Sequence, residues 1–225
     1  MCRADEVERA LAYFTDPHHL SSFELLPGAG RVLLSAPHAV LQTRGGRIKQ
    51  AERYTGMLCR LLNAHAGCPC IYKSRHLGDD ANYDSVSDYR DALCAYASSY
   101  SIRYVLDLHQ LAPSRPMALC IGTGRGRNLN GDERAVPVLR NAFSIRRLIP
   151  VTLDDPFAAL REHTVCATAA GLGVAALLTG GYGAGKRLWA VHPRLSPVFP
   201  AVEQKSDATP LFSDTTGAQH ETTRL

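Results

Sequence analysis

The chain contains no apolar run approaching the ~18 residues that cross a bilayer, so no membrane-spanning helix is expected. Its first residues, Met1-Cys2-Arg3-Ala4-Asp5-Glu6-Val7-Glu8, are acidic and carry no apolar h-region, which argues against a secretory signal. There is no basic block: the net charge of +4 is spread along the chain, so nucleic acid is not an expected partner. There is no G-x-S-x-G elbow, which disfavours a serine hydrolase, and there is no internal repeat. Cysteine is present but unorganised. Seven residues are an odd count, and several sit inside apolar segments, which reads as reduced, buried thiols in a cytoplasmic protein. Cys68-Pro69-Cys70 lacks the second pair that a structural zinc site needs and reads as small residues at a strand edge.

What is present suits one domain with a real core: 225 residues, 45% hydrophobic and 20% charged. Helical spacing appears at 4–15, 50–65, 88–100, 132–144 and 163–171, with Ser87 placed to cap the third of these. Short apolar runs at 31–36, 71–73, 103–108, 117–121, 148–153 and 174–178 read as strands. Arg44-Gly45-Gly46-Arg47 is a turn signal within a loop at 39–49. Strands alternating with helices predict an α/β fold with helices on both faces of the sheet. After Pro193 the pattern fades. Residues 1–198 read as a single domain and 199–225 as a disordered tail.

Two of the strand-like runs end on an imidazole: Arg31-Val32-Leu33-Leu34-Ser35-Ala36-Pro37-His38 and Arg103-Tyr104-Val105-Leu106-Asp107-Leu108-His109. Open α/β sheets bind ligands at the carboxyl ends of their strands, so the two histidines can meet. Glu52 lies between them in sequence. A His/Glu/His set is the donor set that holds zinc and leaves a fourth position for water. Two histidines and a carboxylate also suit other divalent transition ions. Asp107 precedes His109 by two residues, and strand alternation puts both on one face, where a carboxylate orients an imidazole.

Four local sequences occur in order: Ser35-Ala36-Pro37-His38-Ala39, Ala51-Glu52-x-x-Thr55-Gly56, Asp79-Asp80-Ala81-Asn82-Tyr83-Asp84 and Asp107-Leu108-His109. With Gly122-Thr123-Gly124-x-Gly they resemble the N-formylglutamate amidohydrolase-like family, over roughly residues 30 to 178. The resemblance implies a carboxypeptidase-like fold, a three-layer α/β/α sandwich around a mixed, mostly parallel sheet. It implies zinc-dependent cleavage of a C–N amide bond in an N-acyl amino acid, an N-formylglutamate-like or glutamyl-type substrate, or a short peptide. Carried onto this chain, the metal ligands would be His38, Glu52 and His109. Substrate contacts would come from Asn82, Asp84, Arg125 and Arg127. Such sites often present His-x-x-Glu, whereas here the third residue after His38 is Leu41. The family's last strand tends to end in a general-base Glu, and here Thr179 stands near that position. Threonine cannot accept the proton, and a missing base costs roughly 10²–10⁴ in rate. Either Glu162 or His163 substitutes, or the chain is an impaired member that binds metal and ligand.

Gly180-Gly181-Tyr182-Gly183-Ala184-Gly185-Lys186 also fits the opening of a phosphate-binding G-x-x-x-x-G-K loop. Arg187 stands where Ser or Thr should hold magnesium, which favours a plain glycine-rich exit from the last strand.

Overall fold

The computed structural model describes residues 4–112 and 114–182. The expected domain end at 198, the tail at 199–225 and Lys186 of the glycine-rich segment lie outside the described residues. Nine strands and five helices are described: α1 (Ala4–Tyr13), β1 (Phe23–Leu26), β2 (Val32–Ala36), β3 (Gln42–Arg44), β4 (Arg47–Lys49), α2 (Arg53–Ala66), β5 (Cys70–Lys73), α3 (Asp88–Ser99), β6 (Tyr104–Leu111), β7 (Leu119–Gly122), α4 (Ala135–Ile145), β8 (Val151–Leu153), α5 (Val165–Gly171) and β9 (Ala175–Tyr182).

The strands form a seven-stranded mixed sheet in the order β1-β5-β2-β6-β9-β7-β8 and a separate β3–β4 hairpin. β5, β2, β6 and β9 run parallel, as do β7 and β8. β1 is antiparallel to β5, and β7 to β9. β2 is buried along its whole length, as expected of a parallel strand covered on both faces.

Alternation along the strands sorts the core into two layers. Val32, Leu34, Leu106 and Leu177 meet Cys59 and Leu62 of α2 and Leu139 and Phe143 of α4. Leu33, Val105 and Ala176 meet Tyr89 and Leu93 of α3 and Val165 and Cys166 of α5. The result is α/β with helices on both sides of a mixed, mostly parallel sheet. The second layer carries the chemistry, because Ser35, Asp107 and His109 share its face.

The strand and helix spacing places most of these elements, but three differ. β1 is short and half-buried, so its four residues carry no recognisable period. The 39–49 loop folds as a hairpin: Gly45 and Gly46, at φ 54° and 75°, turn the chain between paired Arg44 and Arg47. β9 continues past Leu178 through Gly180 and Gly181, which pair with His109 and Gln110 of β6. Glycine hid that extension, since it has no side chain to show the strand period.

Candidate metal centre

β2 and β6 are parallel neighbours, so their carboxyl ends lie side by side. His38 follows β2 by two residues, whereas His109 lies inside β6, which runs on to Leu111. The chain loops through the hairpin and returns at Glu52, whose backbone N–H donates to the His38 carbonyl at 2.7 Å. Glu52 stands at the start of α2 yet makes no capping bond there, which frees its carboxylate for the site.

Three side chains from distant parts of the sequence thus converge. His38 Nδ1 lies 3.2 Å from His109 Nδ1 and 3.6 Å from Glu52 Oε1, and His109 Nδ1 lies 3.1 Å from Glu52 Oε2. One ligand atom from each falls within 4.8 Å of the others. Bonds of about 2.0–2.1 Å to a tetrahedral zinc ion give ligand separations of about 3.3 Å, so the donor set fits such an ion.

The far side of each ring rests on a carboxylate. His38 Nε2 lies 3.0 Å from Asp80 Oδ1, and His109 Nε2 lies 2.9 Å from Asp107 Oδ2. These contacts fix the ring orientations and turn Nδ1 toward the centre. Asp80 is buried and pinned by the Arg44 guanidinium at 2.8 Å and by the Asn82 backbone N–H at 2.9 Å. Asp107 is fixed by Ser35 Oγ and Asn82 Nδ2, each at 2.9 Å. Glu52 Oε2 accepts from the Gln110 backbone N–H at 3.0 Å, and Lys49 Nζ donates to Glu52 Oε1 at 2.5 Å.

The charges are strongly coupled. Burial alone lowers His109, but the Asp107 and Glu52 carboxylates outweigh it and lift the imidazole to about 10. Burial raises Glu52, yet His109 and His38 bring it well below the usual carboxylate range. Asp80 follows the same logic, with burial overridden by His38, the Asn82 N–H and Arg44.

The centre opens into a cavity of about 790 Å³, lined by His38, Glu52, His109, Arg44, Lys49, Asn82, Arg125 and the 154–161 loop. The glycine-rich segment 122–128 brackets that loop. Thr123 donates through its N–H and its hydroxyl to the two Asp154 oxygens, both at 2.6 Å, and Gly124 N–H donates to the Ala158 carbonyl at 2.6 Å. A Cβ on Gly122 would stand 2.3 Å from the Phe157 carbonyl oxygen, which is why glycine is needed there.

The other expected residues separate. Asn82 reaches the cavity wall, but its amide is spent: Nδ2 on Asp107 and Oδ1 on the Val165 N–H at 2.7 Å. Asp84 closes its own turn, accepting from the Asp80 N–H at 2.7 Å, and is not on the cavity wall. Arg125 lines the cavity, whereas Arg127, two residues on, is exposed and away from it. Glu162 and His163 precede α5, which starts at Val165 behind its Thr164 cap. Both are exposed and line a separate pocket with Asn82, Tyr83 and Arg161. Thr179 pairs with Leu108 and faces the α2/α4 layer, where it borders a small apolar cavity. The β9 positions on the metal-centre cavity are Leu178 and Gly180.

Sequence reasoning missed four contributors. Asp80 was visible only as part of the Asp79–Asp84 motif, with no role assigned to it. Arg44 and Lys49 sat on an unrecognised hairpin. Asp155, on the cavity wall, carries no spacing signal at all.

No family model matches the chain. No curated protein matches it in sequence. Its fold does resemble solved structures. A gene product of Agrobacterium tumefaciens aligns at 13% identity, over 79% of this chain and 94% of that one, with a TM-score of 0.50. The succinylglutamate desuccinylase of Vibrio parahaemolyticus aligns at 13% identity over 96% and 89%, with a TM-score of 0.49. A bacteriophage poly-gamma-glutamate hydrolase aligns at 10% identity over 74% and 73%, with a TM-score of 0.44. At these identities the likeness concerns the fold alone.

Proposed function

We propose that the chain is a metal-dependent amidohydrolase that cleaves the C–N bond of an N-acyl amino acid of the N-formylglutamate or glutamyl type. His38, Glu52 and His109 hold zinc or a similar divalent transition ion. The observation that carries this reading is the convergence of both Nδ1 atoms and the Glu52 carboxylate, with each Nε2 resting on its own buried carboxylate. A bound zinc ion supplies an activated water, with its pKa lowered to about 7, and polarises a carbonyl.

The chain's own residues do the rest. Asp80 and Asp107 fix the ring orientations, and Asn82 ties Asp107 to α5. Arg125 and Arg161 line the cavity and supply guanidinium forks for a substrate carboxylate, which favours an acidic acyl-amino acid. Glu52 is committed to the centre and Asp154 to Thr123, so Asp155 is the cavity carboxylate left without a side-chain partner among the described residues. It takes the proton as water adds to the amide carbon and returns it to the departing nitrogen as the C–N bond breaks. Glu162 and His163 are not used in this scheme, because they lie on the neighbouring pocket.

The absence of a carboxylate among the β9 residues on the cavity favours a second reading, an impaired member that binds metal and ligand without efficient turnover. Elemental analysis after gel filtration, followed by hydrolysis of N-formyl-L-glutamate, decides. About one zinc per chain with turnover supports the enzyme. Zinc without turnover supports the binding protein. No metal, and none taken up on reconstitution, removes both.

A further inference from the structure

The Glu52 carboxylate is shared unequally. Its Oε2 is held by the Gln110 N–H and faces His109, while its Oε1, the oxygen nearer His38, takes the Lys49 ammonium at 2.5 Å. Lys49 therefore competes for an oxygen that the proposed ion would use. Lys49 ends β4 of the hairpin, lines the cavity, and has no carboxylate partner but Glu52 among the described residues. Arg44, the other hairpin cation beside the centre, differs: its guanidinium is bound to buried Asp80.

We propose that Lys49 is a metal-displaced member of the reaction centre. With no cation on Glu52 it is the counter-ion of that carboxylate. Once a divalent cation is bound there, it becomes the hydrogen-bond donor to the scissile carbonyl oxygen. The inference rests on the metal-dependent reading above. Coulomb repulsion between a dication and an ammonium sharing one carboxylate oxygen drives Nζ away. A four-carbon stem with three rotatable donors lets Nζ swing into the adjoining cavity. The wall formed by β9 has no polar side chain to offer there, since Leu178 and Gly180 are its cavity residues. As water adds to the amide carbon, the carbonyl π pair moves onto oxygen. Lys49 donates a hydrogen bond to that developing charge without giving up its proton, and the charge returns to re-form the carbonyl when the C–N bond breaks.

The test is Lys49→Met, which keeps the stem and removes the charge, measured in two ways. Zinc affinity is read by competition with a chromogenic chelator, and hydrolysis of N-formyl-L-glutamate is read at saturating zinc. The expected result is a split: zinc binds about tenfold tighter or more because a competing cation is gone, while kcat falls about 10²–10³-fold with little change in KM. A residue that merely supported the hairpin would not tighten zinc. Lys49→Arg should recover part of kcat and restore the weaker zinc binding. If Lys49→Met does not fold, Lys49→Gln is read in the same two assays. Unchanged or weaker zinc binding overturns the proposal, as does retained turnover. If the wild-type chain binds zinc but leaves N-formyl-L-glutamate intact, the proposed substrate fails, while the zinc measurement still judges the counter-ion role.

Discussion

His38 and His109 meet through their Nδ1 atoms, 3.2 Å apart, with Asp80 behind one ring and Asp107 behind the other. Two imidazoles facing each other at this distance share at most one proton between those nitrogens. The backing carboxylates set that arrangement by holding each ring at its Nε2. Asp80→Asn and Asp107→Asn should therefore each weaken zinc binding by about 10–100-fold. Chelator competition checks this, with circular dichroism confirming that the fold is kept.

The same coupling predicts a pH dependence with a definite sign. His109 is raised from 6.5 to about 10, so at neutral pH a zinc ion must displace a proton from it. Apparent zinc affinity should rise by about tenfold per pH unit between pH 6 and 8 if one proton leaves. For stability of the metal-free chain the sign is opposite. A raised folded-state value contributes stability that is fully present below 6.5 and is lost as pH rises through about 10. Thermal unfolding of chelator-treated protein across that range reads the loss. A melting temperature that does not fall on the alkaline side would count against the coupling.

Asp155→Asn separates the enzyme from the impaired binder. If Asp155 carries the proton, kcat falls by about 10²–10⁴ while zinc content is unchanged. Asp155→Glu should restore part of it. The corresponding Glu162→Gln should leave turnover nearly intact, because Glu162 lies on the neighbouring pocket.

The convergence of His38, Glu52 and His109 was legible because His38 follows the end of β2 and His109 lies near the carboxyl end of its parallel neighbour β6. Two apolar runs ending in histidine, with a carboxylate returning between them, suffice to place His38, Glu52 and His109 together. Arg44 and Lys49 were not legible, because an eight-residue antiparallel hairpin depends on its two-glycine turn and on tertiary contact. Asp84 and Arg127 were misplaced for a different reason. A motif gives the order of residues, whereas turn geometry decides which side chain enters a cavity: Asp84 closes its turn, and only Arg125 of the two loop arginines reaches the wall.

Thr179 shows what one residue of register does in a strand. It was read as standing where a general base belongs, yet it pairs with Leu108 and borders an apolar cavity with Leu58, Leu139 and Phe143. Side chains alternate along β9, so its neighbours Leu178 and Gly180 are the ones on the metal-centre cavity. Thr179→Glu should therefore bury an unpaired carboxylate and cost about 3 kcal/mol or more, without raising turnover. Leu178→Glu puts the carboxylate on the wet side of the sheet and should cost only about 1–2 kcal/mol. Urea unfolding of the two variants gives the comparison directly. If Thr179→Glu were the better tolerated of the pair, the assignment of faces along β9 would be wrong.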